Sequence, residues 1–169
     1  SNGKVTFNWT GTYMLKADLE SGIKGDAVEK SVGRFNKYND VTFRVISRLA
    51  ATWKPSERYT HTATLGYHSS YIDSVITEDD GAIRARNADG TPGAYVGLTR
   101  KVDAYYTVDL QSKINFSKNL TLTAGIKNLF NQDPPFSQRI EGGGNQLGYD
   151  GRYTDPLGRQ FYVVGNLKF

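Results

Sequence analysis

Few residues in this 169-residue chain have the types and spacing that chemistry needs. His61 and His68 are seven positions apart. In one strand they would point to opposite faces and could not share a metal ion. Glu78-Asp79-Asp80 followed by Asn87-Ala88-Asp89-Gly90 superficially resembles a calcium loop. It lacks the alternating oxygens and the closing glutamate of an EF-hand. Gly142-Gly143-Gly144 precedes no Lys-Ser/Thr pair and opens no helix, so a phosphate loop is not expected. Asp103 and Asp109 would share a strand face roughly 20 Å apart, too far to act on one bond. No nucleophile, base and oxyanion hole assemble, so the expectation is a non-enzyme without metal or cofactor. What remains is arginine. Arg84, Arg86 and Arg139, with Tyr95, sit in polar, Gly-rich stretches, and their fork-shaped donors suit an anionic ligand.

The elements that must position these residues are strands. Period-two alternation marks six segments, each close to the ~9–11 residues that cross a bilayer as a tilted strand. The apolar members are Val5, Phe7, Trp9, Gly11, Tyr13 and Leu15; then Val41, Phe43, Val45, Leu49, Ala51 and Trp53; then Tyr59, Ala63, Leu65, Tyr67 and Tyr71. The fourth segment contributes Ala104, Tyr106, Val108, Leu110, Ile114 and Phe116, and the fifth Leu120, Leu122, Ala124, Ile126 and Phe130. The last contributes Phe161, Val163, Gly165, Leu167 and Phe169. Opposite them stand Thr, Asn, Arg, Lys, Asp and Gln. The two histidines read as one interfacial and one lumenal side chain.

Composition narrows the class. Hydrophobic residues make up 38% of the chain and no stretch approaches the ~18 apolar residues of a spanning helix. Barrel strands alternate lipid-facing and lumen-facing residues, so a modest apolar content is compatible with them. Eleven Tyr and eight Phe suit β structure, and eighteen Gly supply turns. Cysteine is absent, which excludes disulfides. The net charge of +4 is spread along the chain and not gathered in a run, which argues against nucleic acid as a partner. The first residues show neither a signal peptide nor a start Met, so the chain reads as a mature product or a piece of something longer.

A soluble sandwich would also alternate, so the connections decide. Lys54 to Arg58 and Ser117 to Asn119 are tight turns, whereas residues ~17–40, ~72–102 and ~131–158 are long, polar and Gly-rich. Short turns at one end and long loops at the other describe outer-membrane barrels, with the long loops extracellular. Trp53, Tyr59, Tyr71, Phe116, Phe130, Phe161 and Phe169 lie near strand ends, as interfacial girdles require. The expected fold class is therefore an all-β transmembrane antiparallel barrel. Closed barrels have at least ~8 strands, and an open edge in lipid leaves backbone groups unsatisfied. Six strands point to an arc of a larger barrel.

Two runs carry a resemblance to a known family. GIKNLFNQDPPFS, from Gly125 to Ser137, and GYDGRYTDPLGRQFYVVGNLKF, from Gly148 to Phe169, resemble the C-terminal part of TonB-dependent outer-membrane receptors. The likeness covers roughly the last 65 residues; the terminus departs from the usual style in carrying Val-Val-Gly-Asn before Lys168-Phe169. The resemblance implies a plugged barrel of about 22 strands, with residues 1–169 as the C-terminal portion of that barrel. Plug, energy-coupling segment and earlier strands would lie outside this chain. It implies the bacterial outer membrane as location, and uptake of a scarce, bulky nutrient. A ferric siderophore is the default; haem, cobalamin and oligosaccharide are the other options. The implied partners are outer-membrane lipid, the remainder of the receptor, the TonB complex through the absent N-terminal part, the barrel-assembly machinery and the nutrient chelate.

On that reading Arg44, Arg48, Asp103, Asp109, Lys113 and Lys127 face the lumen and meet the plug. Phe161, Val163, Gly165, Leu167 and Phe169 form a lipid-facing row that serves as the C-terminal assembly signal. The motif residues themselves read as punctuation: Asn131 turns the chain on its own backbone, Pro134-Pro135 stops ladder pairing, and Asp155-Pro156-Leu157-Gly158 launches the last strand. The alternative function is a passive porin or small structural outer-membrane barrel. A phospholipase-like barrel enzyme would need a Ser/His/Asn arrangement near the outer leaflet.

Overall fold

The computed structural model describes residues 3–20, 22–25, 27–36, 40–138 and 148–169. Their β-branched and aromatic alternation folds into six long strands: β1 (Lys4–Tyr13), β2 (Val45–Lys54), β3 (Tyr59–His68), β4 (Tyr105–Asn115), β5 (Leu120–Lys127) and β6 (Gln160–Leu167). Each pairs antiparallel with the next, giving a meander in sequence order. The chain is all-β; among the described residues the only helical element is the 3-10 turn Glu78–Asp80. The sheet is open, because β1 and β6 have no strand on their outer sides among the described residues.

Register fixes which residues share a face, since residues directly opposite each other in a ladder point the same way. One row runs Phe7, Ala51, Ala63, Leu110, Ile126, Phe161 across all six strands. The row on one side of it runs Val5, Trp53, His61, Ser112, Ala124, Val163; on the other, Trp9, Leu49, Leu65 and Val108 stand in line. The opposite face carries rows such as Thr6, Thr52, Thr62, Gln111, Gly125, Tyr162. The alternation read from each strand separately thus agrees across the whole sheet. One face is apolar and the other polar.

Among the described residues no second layer covers the apolar face. Phe7 is 70% exposed, Trp9 71% and Phe161 73%. Burying a large apolar side chain is worth about 1.5–3 kcal/mol, so these three alone forgo roughly 5–9 kcal/mol in water. That is comparable to the ~5–15 kcal/mol by which a domain is stable. Such a face needs an apolar environment or a partner. Aromatic side chains fringe it at both ends. Trp53, Tyr59 and Phe116 lie beside the short turns, and Tyr13, Tyr67 and Tyr106 beside the long connections. From Tyr59 to Tyr67 the strand advances about 26 Å.

The buried core lies at the long-connection end, outside the sheet. Four two-residue strands form a small second sheet in the order Lys101–Val102, Tyr71–Ile72, Arg34–Phe35, Val41–Thr42. Val41, Phe43, Tyr71 and Val102 are its core, with Phe35 and Tyr153 packed against them. The Phe43 ring stacks on His68 at 4.9 Å and meets Tyr71 and Tyr153 edge-on.

This cap corrects the sequence reading at several positions. Alternation assigns Val41, Phe43 and Tyr71 to the outward face, with Tyr71 in a girdle, yet all three are buried in the cap. The alternation runs on past the sheet because the cap is itself made of strands, but the pairing changes at Phe43-Arg44 and at Ser69-Ser70. Ala104 likewise precedes β4, and Leu15 lies beyond β1. β5 ends at Lys127, three residues before Phe130, because Asn128 takes a left-handed conformation (φ 50°). The connection between Ile72 and Lys101 holds a hairpin of its own, Arg84–Arg86 with Pro92–Tyr95.

Replacing Phe43 with Ala removes the side chain that ties His68, Tyr71 and Tyr153 together. The expected cost is about 3 kcal/mol, read as faster protease cleavage of the long connections while the six long strands stay protected. Unchanged cleavage would contradict the cap as a packed unit.

Candidate functional site

The exposed hairpin is the part of the cap with free chemistry. Its turn is held by Asn87 N donating to Thr91 O at 3.0 Å and Gly90 N to Asn87 O at 2.9 Å. The Asp89 carboxylate accepts from the Thr91 hydroxyl (2.6 Å) and backbone N–H (2.9 Å), which holds its pKa below the usual value. Asp80 is held low in the same way by the Thr77 backbone N–H and hydroxyl. These carboxylates cap turns, so the calcium-loop likeness has a local explanation.

Arg84 and Tyr95 face each other in the hairpin register. The guanidinium carbon lies 4.1 Å from the ring centroid and Nη2 donates to the phenol oxygen at 2.6 Å. Arg86 is two residues on, its guanidinium beside Gly90. Together they line an open hollow of about 510 Å³ with Gly81, Ala82 and Pro92. Three of the four residues singled out for ligand capture are therefore neighbours. The fourth, Arg139, lies outside the described residues. Two guanidinia and a phenol can bind an anion or a polarised oxygen ligand at low entropy cost, because stacking already orders Arg84.

The charges expected in the lumen separate into three kinds. Arg48, Lys113 and Lys127 stand exposed on the polar face of the sheet. Asp109 is on the same face, but its carboxylate accepts the Asn128 backbone N–H at 2.9 Å and so fixes the end of β5. Arg44 precedes β2, and its guanidinium donates to the carbonyls of Met14 (3.2 Å) and Leu15 (3.5 Å), clasping the ends of two strands. Asp103 precedes β4 and borders the small void beside Phe43 and His68.

Sequence reading missed a buried polar cluster that seats the last long connection. Asp73 is 1% exposed; Oδ2 accepts the Gln138 backbone N–H at 2.6 Å and Oδ1 the Ser137 hydroxyl at 3.2 Å. Asp150, also buried, accepts from Arg152 through Nη2 at 2.7 Å and Nε at 3.1 Å, which raises the Arg152 pKa. The Tyr153 hydroxyl donates to Asp40 and accepts from the Val41 N–H. Burial raises the pKa of Tyr153 and, more strongly, of Tyr71. Asp73 sits 64 residues from Ser137, and only two isolated polar letters, a D and an S, mark the pair in sequence.

The motif residues turn out to act across strands. The Asn128 side chain accepts from Gln132 N (2.8 Å) and donates to Gln132 O (2.9 Å), standing in for a ladder partner. Asn131 does not turn on its own backbone as expected; its Oδ1 accepts the Arg159 N–H at 2.9 Å, just before β6. Asp155 does launch the strand, accepting from Leu157 N and Gln160 Nε2.

On the apolar face His61 Nδ1 and Ser112 Oγ lie 2.9 Å apart. This is a nucleophile–base pair in type only. The strand amides around it are engaged in the ladder, and Trp53 and Tyr59 flank the imidazole. Set against known protein families, curated proteins and solved structures, the chain matches none.

Two outcomes follow from the cluster. Asp73→Asn removes one of the two acceptor oxygens and should cost about 1–3 kcal/mol, seen as faster hydrogen exchange at Gln138 without change in β1–β6. Raised phenol pKa values mean that the folded cap favours neutral Tyr71 and Tyr153. That stabilisation is complete below the ordinary tyrosine value near 10 and is lost as pH climbs through the raised values. Near-ultraviolet circular dichroism should show the cap loosening in strong alkali, and Tyr71→Phe should blunt the effect.

Proposed function

We propose that this chain is part of the wall of a TonB-dependent outer-membrane transporter, supplying six neighbouring strands of a barrel of about 22. The observation that carries the reading is the uncovered apolar face. It is consistent across six strands, fringed by aromatic side chains at both ends, and has short turns at one end and long connections at the other. A water-soluble sandwich would set such a face against a second sheet. The open edges of the sheet support the larger barrel, since backbone groups in lipid must be paired. The resemblance of Gly125–Ser137 and Gly148–Phe169 to the receptor family supports the transporter over other barrels.

In this reading the polar face, with Arg48, Asp109, Lys113 and Lys127, lines a lumen occupied by a plug. The cap stands outside the cell and holds the Arg84–Tyr95 hairpin where a ligand arrives. The ligand is a scarce, bulky nutrient, and two guanidinia beside a phenol favour an anionic chelate such as a ferric siderophore. The Phe161, Val163, Gly165, Leu167, Phe169 row serves the assembly machinery.

The test uses the full-length protein in a Gram-negative outer membrane. Folded barrel should migrate differently before and after boiling, and uptake of a ferric chelate should require inner-membrane energy. Arg84→Ala with Arg86→Ala should weaken chelate binding about ten-fold or more, given ~1.5–3 kcal/mol for a charged hydrogen bond. Free leakage of small solutes through the purified protein would instead favour a passive porin.

A further inference from the structure

Charge is segregated along the strand axis. Of the seventeen carboxylates, fifteen fall in residues 14–44, 69–104 and 128–159, the long connections. Only Glu57 lies at the short-turn end, where Lys4, Lys54, Arg58, Lys118 and Lys168 gather. Register places them together. Lys4 pairs with Lys54, the Lys168 N–H donates to Asn119 O, and both turns lie between. The turns are stitched to each other: Asn115 donates its backbone N–H to Arg58 O at 2.9 Å and its side-chain amide to Glu57 O at 3.0 Å. Ser117 Oγ accepts from Asn119 N (3.2 Å) and Leu120 N (3.1 Å), so the second turn is also fixed.

Arg58 is the cation on the apolar side of this rim. Its guanidinium carbon lies 5.5 Å from the Tyr59 ring centroid and 5.7 Å from that of Phe116. Tyr59 belongs to the apolar face, and Phe116 keeps the phase of Ile114, Tyr59's ladder partner. Two rings thus hold a planar cation at the boundary between apolar sheet and solvent, with Lys118 in the adjoining turn. Nearby, Trp53 and His61 continue the aromatic line at 5.4 Å.

We propose that the short-turn rim is a binding site for an anionic phospholipid of the leaflet it meets. Arg58 grips the headgroup phosphate with paired N–H donors, Lys118 and the neighbouring lysines supply the field that prefers a net negative headgroup, and the acyl chains lie along Ile114 and Leu122. Charge complementarity selects this occupant. Arg58 and Lys118 stand in the turns, and Lys4, Lys54 and Lys168 lie behind them in phase with the polar face. With Glu57 the one carboxylate at this end, the rim repels a cationic partner and gives a zwitterionic lipid no advantage. The inference rests on the membrane reading of the apolar face.

The experiment folds the full-length protein into phosphatidylcholine vesicles with and without phosphatidylglycerol and measures lipid selectivity in the first shell with spin-labelled lipids. Wild type should prefer phosphatidylglycerol, and each cation removed should lower that preference up to about five-fold. Arg58→Gln with Lys118→Gln should lower it most; Arg58→Lys should keep part of it; Arg84→Gln, at the other end, should leave it unchanged. Undiminished preference in a folded Gln double variant, or loss of preference on changing Arg84, overturns the proposal. Failure of the protein to enter any vesicle would instead overturn the membrane reading, and is distinguished by flotation.

Discussion

Everything in this molecule depends on the register of one antiparallel ladder. Side chains alternate with a period of two, so a slip of one residue between any two strands would send a whole apolar row to the polar face. Across the meander no such slip occurs: Phe7, Ala51, Ala63, Leu110, Ile126 and Phe161 stay in line over five successive pairings. The two short turns set the count at one end, and Asn115 ties them to each other through Glu57 and Arg58. At the other end Phe43, His68 and Tyr71 lock the entry to β2 and the exit from β3 into the cap.

A single-layer sheet has no interior of its own, which changes how its residues are stabilised. Backbone pairing and cross-strand contacts must hold the sheet together, while the surroundings satisfy each face. On the polar face this shows at Gly125. The Tyr162 ring lies over it, so closely that a Cβ there would come within 2.4 Å of the ring, and the hydroxyl donates to Gln111 at 3.1 Å. On the apolar face Trp9 covers Gly11 in the same manner and donates to Ser47 at 2.8 Å. Each aromatic bridges a weak spot in the ladder and finds a partner for its polar atom. Among the described residues, buried apolar side chains gather at the cap end of the sheet, Tyr105 at the start of β4 included.

The six long strands were legible because their signal is local: alternation over about ten residues needs no knowledge of the partner strand. The cap was not legible, for the same reason. Val41, Phe43 and Tyr71 continue the alternation of the strands before and after them, and nothing within reach marks Ser69-Ser70 as the point where pairing passes to a new sheet. Asp73 with Ser137, and Asp40 with Tyr153, lie farther apart still, and a pair separated by 64 or 113 residues leaves no periodic trace. Of the candidate ligand residues, Arg84, Arg86 and Tyr95 could be grouped because a hairpin brings near neighbours together. The charge segregation leaves no local mark, because it resolves only when the meander folds both turns to one end.

The motif letters near the end of the chain illustrate what a resemblance of this kind can carry. Asn128 and Asn131 adopt left-handed backbone conformations, at φ 50° and 54°, that few residues other than glycine and asparagine accept without strain. Asn131 then caps Arg159, and a Cβ on Gly158 (φ 65°) would approach the Asn131 side-chain oxygen to 2.7 Å. Position 158 therefore has two independent reasons to be glycine, and position 131 two to be asparagine. Asp155 and Gln160 complete the brace. All of these demands come from starting β6 beside β5 in one register, and none comes from a ligand. Residues constrained by strand geometry answer to pairing, whereas Arg84 and Tyr95, exposed in the hairpin between Ile72 and Lys101, carry no demand from this ladder. The same physics that makes the strand pairing readable from these letters therefore leaves the hairpin's chemistry to be read from its own residues.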